Sequence, residues 1–229
     1  MSSKKINSFL FALIMCVIVS VLLSLAANGL KERQELNIKI DKQKNILKAL
    51  GLIKGGQKLK NEAVVQLYSK NVKNTYLDMK TGEVKSTVFE GALPLFIIEI
   101  NNRIEKYAIP FKAYGLWSWI HGIIALEGDG KTVVGLTVFK HGETPGLGGE
   151  VEKEWFQKQF QRKQIVNKEN QFTSIQIAKG KAKDTYKKSE LSYSIDGMSG
   201  ATITSKGLER DLKAELKKYD ILSKKLRER

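Results

Sequence analysis

The sequence predicts an α+β domain carried behind one membrane-spanning helix. Three observations lead there: an uncharged apolar run near the N-terminus, β-branched and aromatic runs around an Asp-Gly turn in the middle, and an amphipathic pattern at the C-terminus. The 229 residues suffice for one domain with a sizeable core plus a helical stalk, not for two large domains. The expected division is a tail at 1–8, an anchor at 9–27, a juxtamembrane helix and linker at 28–56, and the domain at 57–229.

The run Phe9 to Ala27 has no charged residue, and at about 1.5 Å per residue a helix of this length nearly matches a hydrocarbon layer about 30 Å thick. A cleaved leader competes, since Lys4 and Lys5 precede the run and Ser24 and Ala26 are small. The run exceeds a usual leader core, which favours an uncleaved anchor. Lys31, Arg33 and Lys39 compete with Lys4 and Lys5 under the positive-inside rule, so charge alone leaves the orientation open.

Beyond the anchor, Leu36, Ile40, Leu47 and Leu50 recur at helical spacing and predict a helix leaving the membrane. Gly51, Gly55 and Gly56 then mark a loop. The strand signals are strongest between Lys106 and Lys140, where Gly128, Asp129 and Gly130 separate Trp119–Leu126 from Thr132–Phe139 as an antiparallel hairpin. Next, Val151 with Trp155 and Phe156 with Phe160 sit four apart, predicting a helix with an aromatic core face. Phe172 to Ala178 alternates like a further strand. From Leu208 through Leu212, Leu216, Tyr219, Leu222 and Leu226 the pattern predicts a C-terminal amphipathic helix, with Thr202 at or near a helix start.

Lys plus Arg outnumber Asp plus Glu by 39 to 24, spread along the chain. A solvated basic surface accounts for this, and attraction to anionic lipid is the functional alternative. Nucleic-acid binding would need a basic stripe with interleaved aromatics or a reader motif, and none is present. The single Cys16, inside the apolar run, excludes an intrachain disulfide or a CxxC pair. His121 and His141 lack ligand spacing, so no metal site is expected, and both read as structural or surface histidines.

Two loops remain as candidate sites. In DGMSGATITS, Ser199, Gly200, Ala201 and Thr202 precede the last helix, and Thr204 follows. No base beside Thr202 would activate it as a nucleophile, so no catalytic residue is assigned. As a phosphate-ester acceptor its setting fits: small neighbours leave the hydroxyl accessible, a helix N-terminus favours the phosphate charge, and Lys206 adds a donor. In ETPGLGGE, Glu143 to Glu150, one proline and three glycines suit either a surface connection or a backbone approaching a flat ligand. The chain has no GxGxxG opening a βαβ unit.

HGETPGLGGEV and DGMSGATITS together resemble the two signature stretches of the covalent FMN-binding domain family of sodium-pumping NADH:quinone oxidoreductases and Rnf complexes. GLWSWIHGIIAL, from Gly115 to Leu126, and GLGGEV are more similar to the C subunit of the first than to the G subunit of the second, which stays the alternative. The resemblance implies FMN joined through its phosphate to Thr202 within a flavin transferase recognition pattern of Asp196, Ser199, Gly200, Ala201, Thr202 and Thr204. It places Glu143, Thr144, Gly146 and Leu147 near the isoalloxazine. It further implies a one-electron relay with its flavin domain on the periplasmic face of a bacterial inner membrane. The partners are membrane lipid, the flavin transferase, and the other subunits of a complex that oxidises NADH, reduces ubiquinone and exports sodium. The class apart from these is a cofactor-free anchored scaffold, for which SGAT is only a turn before a helix.

Overall fold

A computed structural model describes residues 3–54, 56, 57 and 59–228, with side chains described from Ser8 onward. Gly55, one of the three expected linker glycines, lies outside them, as do Met1 and Ser2. Two units are distinguished, Met1–Asp41 and Lys42–Arg229.

The first helix, α1 (Ser3–Ala49), carries the N-terminal unit and runs into the second. In the N-terminal unit the apolar side chains from Phe9 to Leu25 are exposed, and the helix is long and apolar enough to cross a membrane. Water penalises that much exposed hydrocarbon, whereas lipid does not. Within the second unit, Gly51 N donates to Lys48 O and Leu52 N to Leu47 O, which closes the helix at the expected loop.

The domain begins with α2 (Asn61–Asn71) and then builds one antiparallel sheet. Its strands are β1 (Lys73–Leu77), β2 (Val84–Lys85), β3 (Leu93–Ile100), β4 (Arg103–Tyr114), β5 (Trp119–Glu127) and β6 (Val133–Lys140), in the order β2-β1-β3-β4-β5-β6. The pairing Ile100↔Arg103 leaves Asn101 and Asn102 as a two-residue hairpin turn, and both take positive φ as such turns demand. In the β5–β6 turn, the Asp129 carboxylate accepts from Lys131 N, Thr132 N and the Thr132 hydroxyl.

Beyond the sheet, a 3₁₀ turn (Gly148–Glu152) and α3 (Glu154–Lys158) replace the single helix expected there. Lys153, extended at φ −77° and ψ 144°, breaks the phase between them. Phe156 and Phe160 are therefore buried as predicted, but Trp155 is 46% exposed instead of sharing a core face with Val151. The strand expected over 172–178 shrinks to β7 (Gln176–Ile177). Thr173 N and Ser174 N both bond to Ile165 O, and Ser174 at φ 66° turns the chain out of the extended run. After α4 (Ala182–Thr185) and a 3₁₀ turn (Lys188–Tyr193), β8 (Ser194–Ile195) pairs in parallel with β7.

The chain ends in α5 (Thr202–Lys218) and α6 (Asp220–Arg227), divided at Tyr219. The predicted apolar stripe is buried: Leu208, Leu212 and Leu216 join Tyr107, Ile109, Ile120 and Ile124 in one core between α5 and the sheet. Burying each such side chain contributes about 1.5–3 kcal/mol. On the opposite sheet face, the Thr137 hydroxyl donates to Asn45 O, so the end of α1 covers part of that face.

Candidate functional site

The turn between β4 and β5 lies at one end of the sheet, and three backbone amides tie it to Glu143 of the loop after β6. Glu143 Oε1 accepts from Trp117 N (2.9 Å) and Ser118 N (3.0 Å), and Oε2 from Leu116 N (3.1 Å). The Thr204 hydroxyl, in the first turn of α5, donates to the same Oε2 at 2.6 Å. Burial alone would push this carboxyl's pKa up, but the Thr204 hydroxyl and the three amides outweigh it and hold the group below the usual carboxylate range. Glu143 is thus buried and fully engaged within the protein.

Gly148 is required beside this carboxylate: a Cβ there would meet Glu143 Oε2 at 2.5 Å and Thr204 Oγ1 at 2.7 Å. The loops touch a second time where Leu147 Cδ2 lies over Gly200, 2.7 Å from where a Cβ would stand. A third tie, Asp211 Oδ2 accepting from Tyr114 N at 2.7 Å, fixes α5 to the strand end.

Thr202 is the first residue of α5 and is exposed. Ala201, at the N-cap, provides no side-chain acceptor, so the first turn directs its free N–H groups outward with the positive end of the helix dipole. Of the other predicted residues, Ser199, Gly200 and Gly146 line one cleft with Thr202, Leu147 lies over Gly200 and Thr144 is exposed, whereas Ala201, Thr204 and Glu143 are buried. Lys206, expected as a further donor, is occupied elsewhere: its Nζ bonds Ile177 O (2.9 Å) and Glu209 Oε2 (2.6 Å).

A cleft of about 610 Å³ opens beside Thr202, lined among others by Gly146, Trp155, Lys179, Lys181 and Gly200. Three of these are not evident from sequence. Helical spacing from Val151 assigns Trp155 to the core, yet its indole N–H donates to Glu150 Oε2 at 2.7 Å along the cleft wall. Lys179 and Lys181 belong to a lysine-rich connector upstream of the motif, which is the one available signal. Asp196 holds that connector in place, bonding Lys181 Nζ (2.9 Å) and Ala182 N (2.7 Å). Leu116, Trp117, Leu147 and Ile203 are exposed apolar side chains on the segments joined through Glu143, Thr204 and Gly200, and form an apolar rim.

This arrangement fits a flavin mononucleotide by its chemistry. Free helix amides and the Lys179 ammonium suit a phosphate, glycines leave room for a ribityl chain, and Trp155 and the apolar rim offer surfaces to a planar ring.

Comparison with known proteins agrees. The FMN-binding domain family matches residues 115–217. The C subunit of the Na(+)-translocating NADH-quinone reductase of Yersinia pestis is 31% identical, with 89% of this chain and 85% of that protein covered. Its counterpart in Pseudomonas aeruginosa is 30% identical, over 89% and 88% of the two chains. The crystal structure of the corresponding protein from Parabacteroides distasonis superposes with a TM-score of 0.71 at 26% identity, covering 85% of this chain and 96% of that one.

Proposed function

Because the chain belongs to the family of the Na(+)-translocating NADH-quinone reductase C subunits, we propose that it is the flavin relay of such a complex, with FMN esterified through its phosphate to Thr202. The observation that carries this reading is an exposed threonine hydroxyl at an uncapped helix N-terminus, opening on a cleft lined by Lys179 and Lys181. When bound, the flavin supplies the electron chemistry, passing electrons singly between centres that oxidise NADH and reduce ubiquinone while sodium is exported.

The residues of this chain do the rest. The α5 amides and Lys179 hold the phosphate, with Lys181 beside it paired to Asp196, and Glu143 with Thr204 fixes where α5 begins. Trp155 and the rim of Leu116, Trp117, Leu147 and Ile203 support the ring and exclude water from it. No side chain has to move a proton for this task.

The apolar stretch of α1 is the anchor, with the flavin domain on the periplasmic face of the bacterial inner membrane as the family resemblance implies. A flavin transferase would reach Thr202 from solvent, since the surrounding Ser199 and Gly200 are exposed. In cells that express this transferase, denaturing electrophoresis tests the reading. A fluorescent band is expected for the wild type and for Thr202→Ser, and none for Thr202→Ala. Fluorescence persisting in Thr202→Ala would place the flavin elsewhere.

A further inference from the structure

The outer face of the sheet carries a second feature, apart from the cleft beside Thr202. Strand register sets Lys112 opposite His121 and His121 opposite Lys140, a cationic row across three strands, with the pair Tyr114 and Trp119 beyond it. Lys112 Nζ lies 3.9 Å over the Trp119 ring, and Tyr114 meets that ring edge-on at 5.1 Å. Phe139 sits 6.4 Å from the His121 ring. All of Tyr114, Trp119 and Phe139 are exposed.

Among the described residues no carboxylate forms a salt bridge with Lys42, Lys112 or Lys140. Glu215, which borders the same hollow, is bonded to Lys218 Nζ at 2.8 Å. The pKa of His121 is lowered by burial and then by Lys112 and Lys140, as expected where positive charge is concentrated and left uncompensated.

We propose that the strip of Tyr114, Trp119 and Phe139 with Lys42, Lys112 and Lys140 docks the domain on the anionic lipid surface of the membrane that holds its own N-terminal helix. The inference rests on the anchoring reading above. Aromatic side chains with a polar edge settle at the headgroup level, and lysines beside them attract anionic lipid. The end of α1 covers the neighbouring part of this face, where Thr137 bonds Asn45 O, and the uncovered part begins at Lys42, where the chain enters the domain. Only residues 28–41 separate Lys42 from the apolar run, a reach of about 20 Å as helix. The segment that tethers the strip to the anchor is therefore short.

The test uses the full chain without flavin, carrying Trp117→Phe and Trp155→Phe so that Trp119 alone emits, in nanodiscs of phosphatidylglycerol or phosphatidylcholine brominated near the headgroup. Quenching of Trp119 is expected in the anionic discs and weaker quenching in the neutral ones. Lys112→Gln and Lys140→Gln should each lower the docked-to-undocked ratio about fivefold. Retention in liposomes through an alkaline wash reports the anchor separately. A chain that is retained but unquenched overturns the docking and leaves the anchor standing, while a chain that washes off overturns the anchor and the docking with it. Shielding of Trp119 that appears only when other subunits are reconstituted would make the strip a protein interface and overturn the proposal.

Discussion

The Thr204 hydroxyl donates to Glu143 Oε2 across 2.6 Å, joining the start of α5 to the loop after β6 through two buried side chains. Thr204→Val keeps the shape and removes one donor from a buried carboxylate. A loss of about 1–2 kcal/mol in stability by urea denaturation is expected. Glu143→Gln should cost more, about 2–3 kcal/mol, because it sets an amide N–H₂ against backbone N–H donors that no longer find an acceptor. Unchanged midpoints in both variants would show that the bridge does not hold the loops.

The same carboxylate gives the domain a pH signature. Its pKa is depressed in the folded state, so its contribution is complete above the unfolded value of about 4.3 and is lost as pH falls through the lower folded value. Asp196, Asp211 and Asp220 are depressed as well. The difference between wild type and Glu143→Gln isolates Glu143. In thermal melts from about pH 6 down to about pH 3, that difference should shrink towards zero on the acid side.

Gly200 stands at φ 72° with Leu147 Cδ2 over it. Gly200→Ala adds a left-handed strain of about 1–2 kcal/mol and presses on a side chain that can swing aside. Leu147→Ala should therefore recover little of the lost stability in the double variant. The yield of covalent flavin in Gly200→Ala should fall, because the turn that presents Thr202 is the one strained. A double-variant cycle read by denaturation and in-gel fluorescence checks both.

Much of this is legible in the sequence. The anchor follows from the length of an uncharged apolar run, and the β5–β6 hairpin and α5 from turn chemistry or one-face periodicity that acts locally. The β3 run LPLFIIEI lacks alternation and contains Pro94, so its pattern does not separate strand from buried helix. Trp155 is misplaced by its spacing from Val151, which assumes one continuous helix where Lys153 interrupts it. The role of Thr204 beneath Thr202 is visible only as motif membership. Its partner Glu143 lies 61 residues away, and that contact comes from the packing of α5 against the sheet.

The C-terminus offers a test of whether the site depends on the rest of the fold. Asp220 is buried and accepts from Lys217 Nζ at 2.9 Å and Arg227 Nη2 at 3.3 Å, while Arg227 Nη1 donates to Gly130 O in the β5–β6 turn. Lys217 is exposed and its pairing is worth little, but the Arg227 side chain is only 8% exposed. Asp220→Asn leaves that guanidinium without its counter-charge and should cost about 3 kcal/mol. Lys217→Gln should cost under about 1 kcal/mol. Replacing Asp220 by Leu together with Arg227 by Met should return most of the loss, since neither charge is then stranded. Asp220 and Arg227 lie in α6 and Lys217 in the last turn of α5, at the far end of that helix from Thr202, so flavin attachment per folded molecule should not change in any of the variants. A drop in in-gel fluorescence at equal folded fraction would mean that α6 helps to set the position of Thr202.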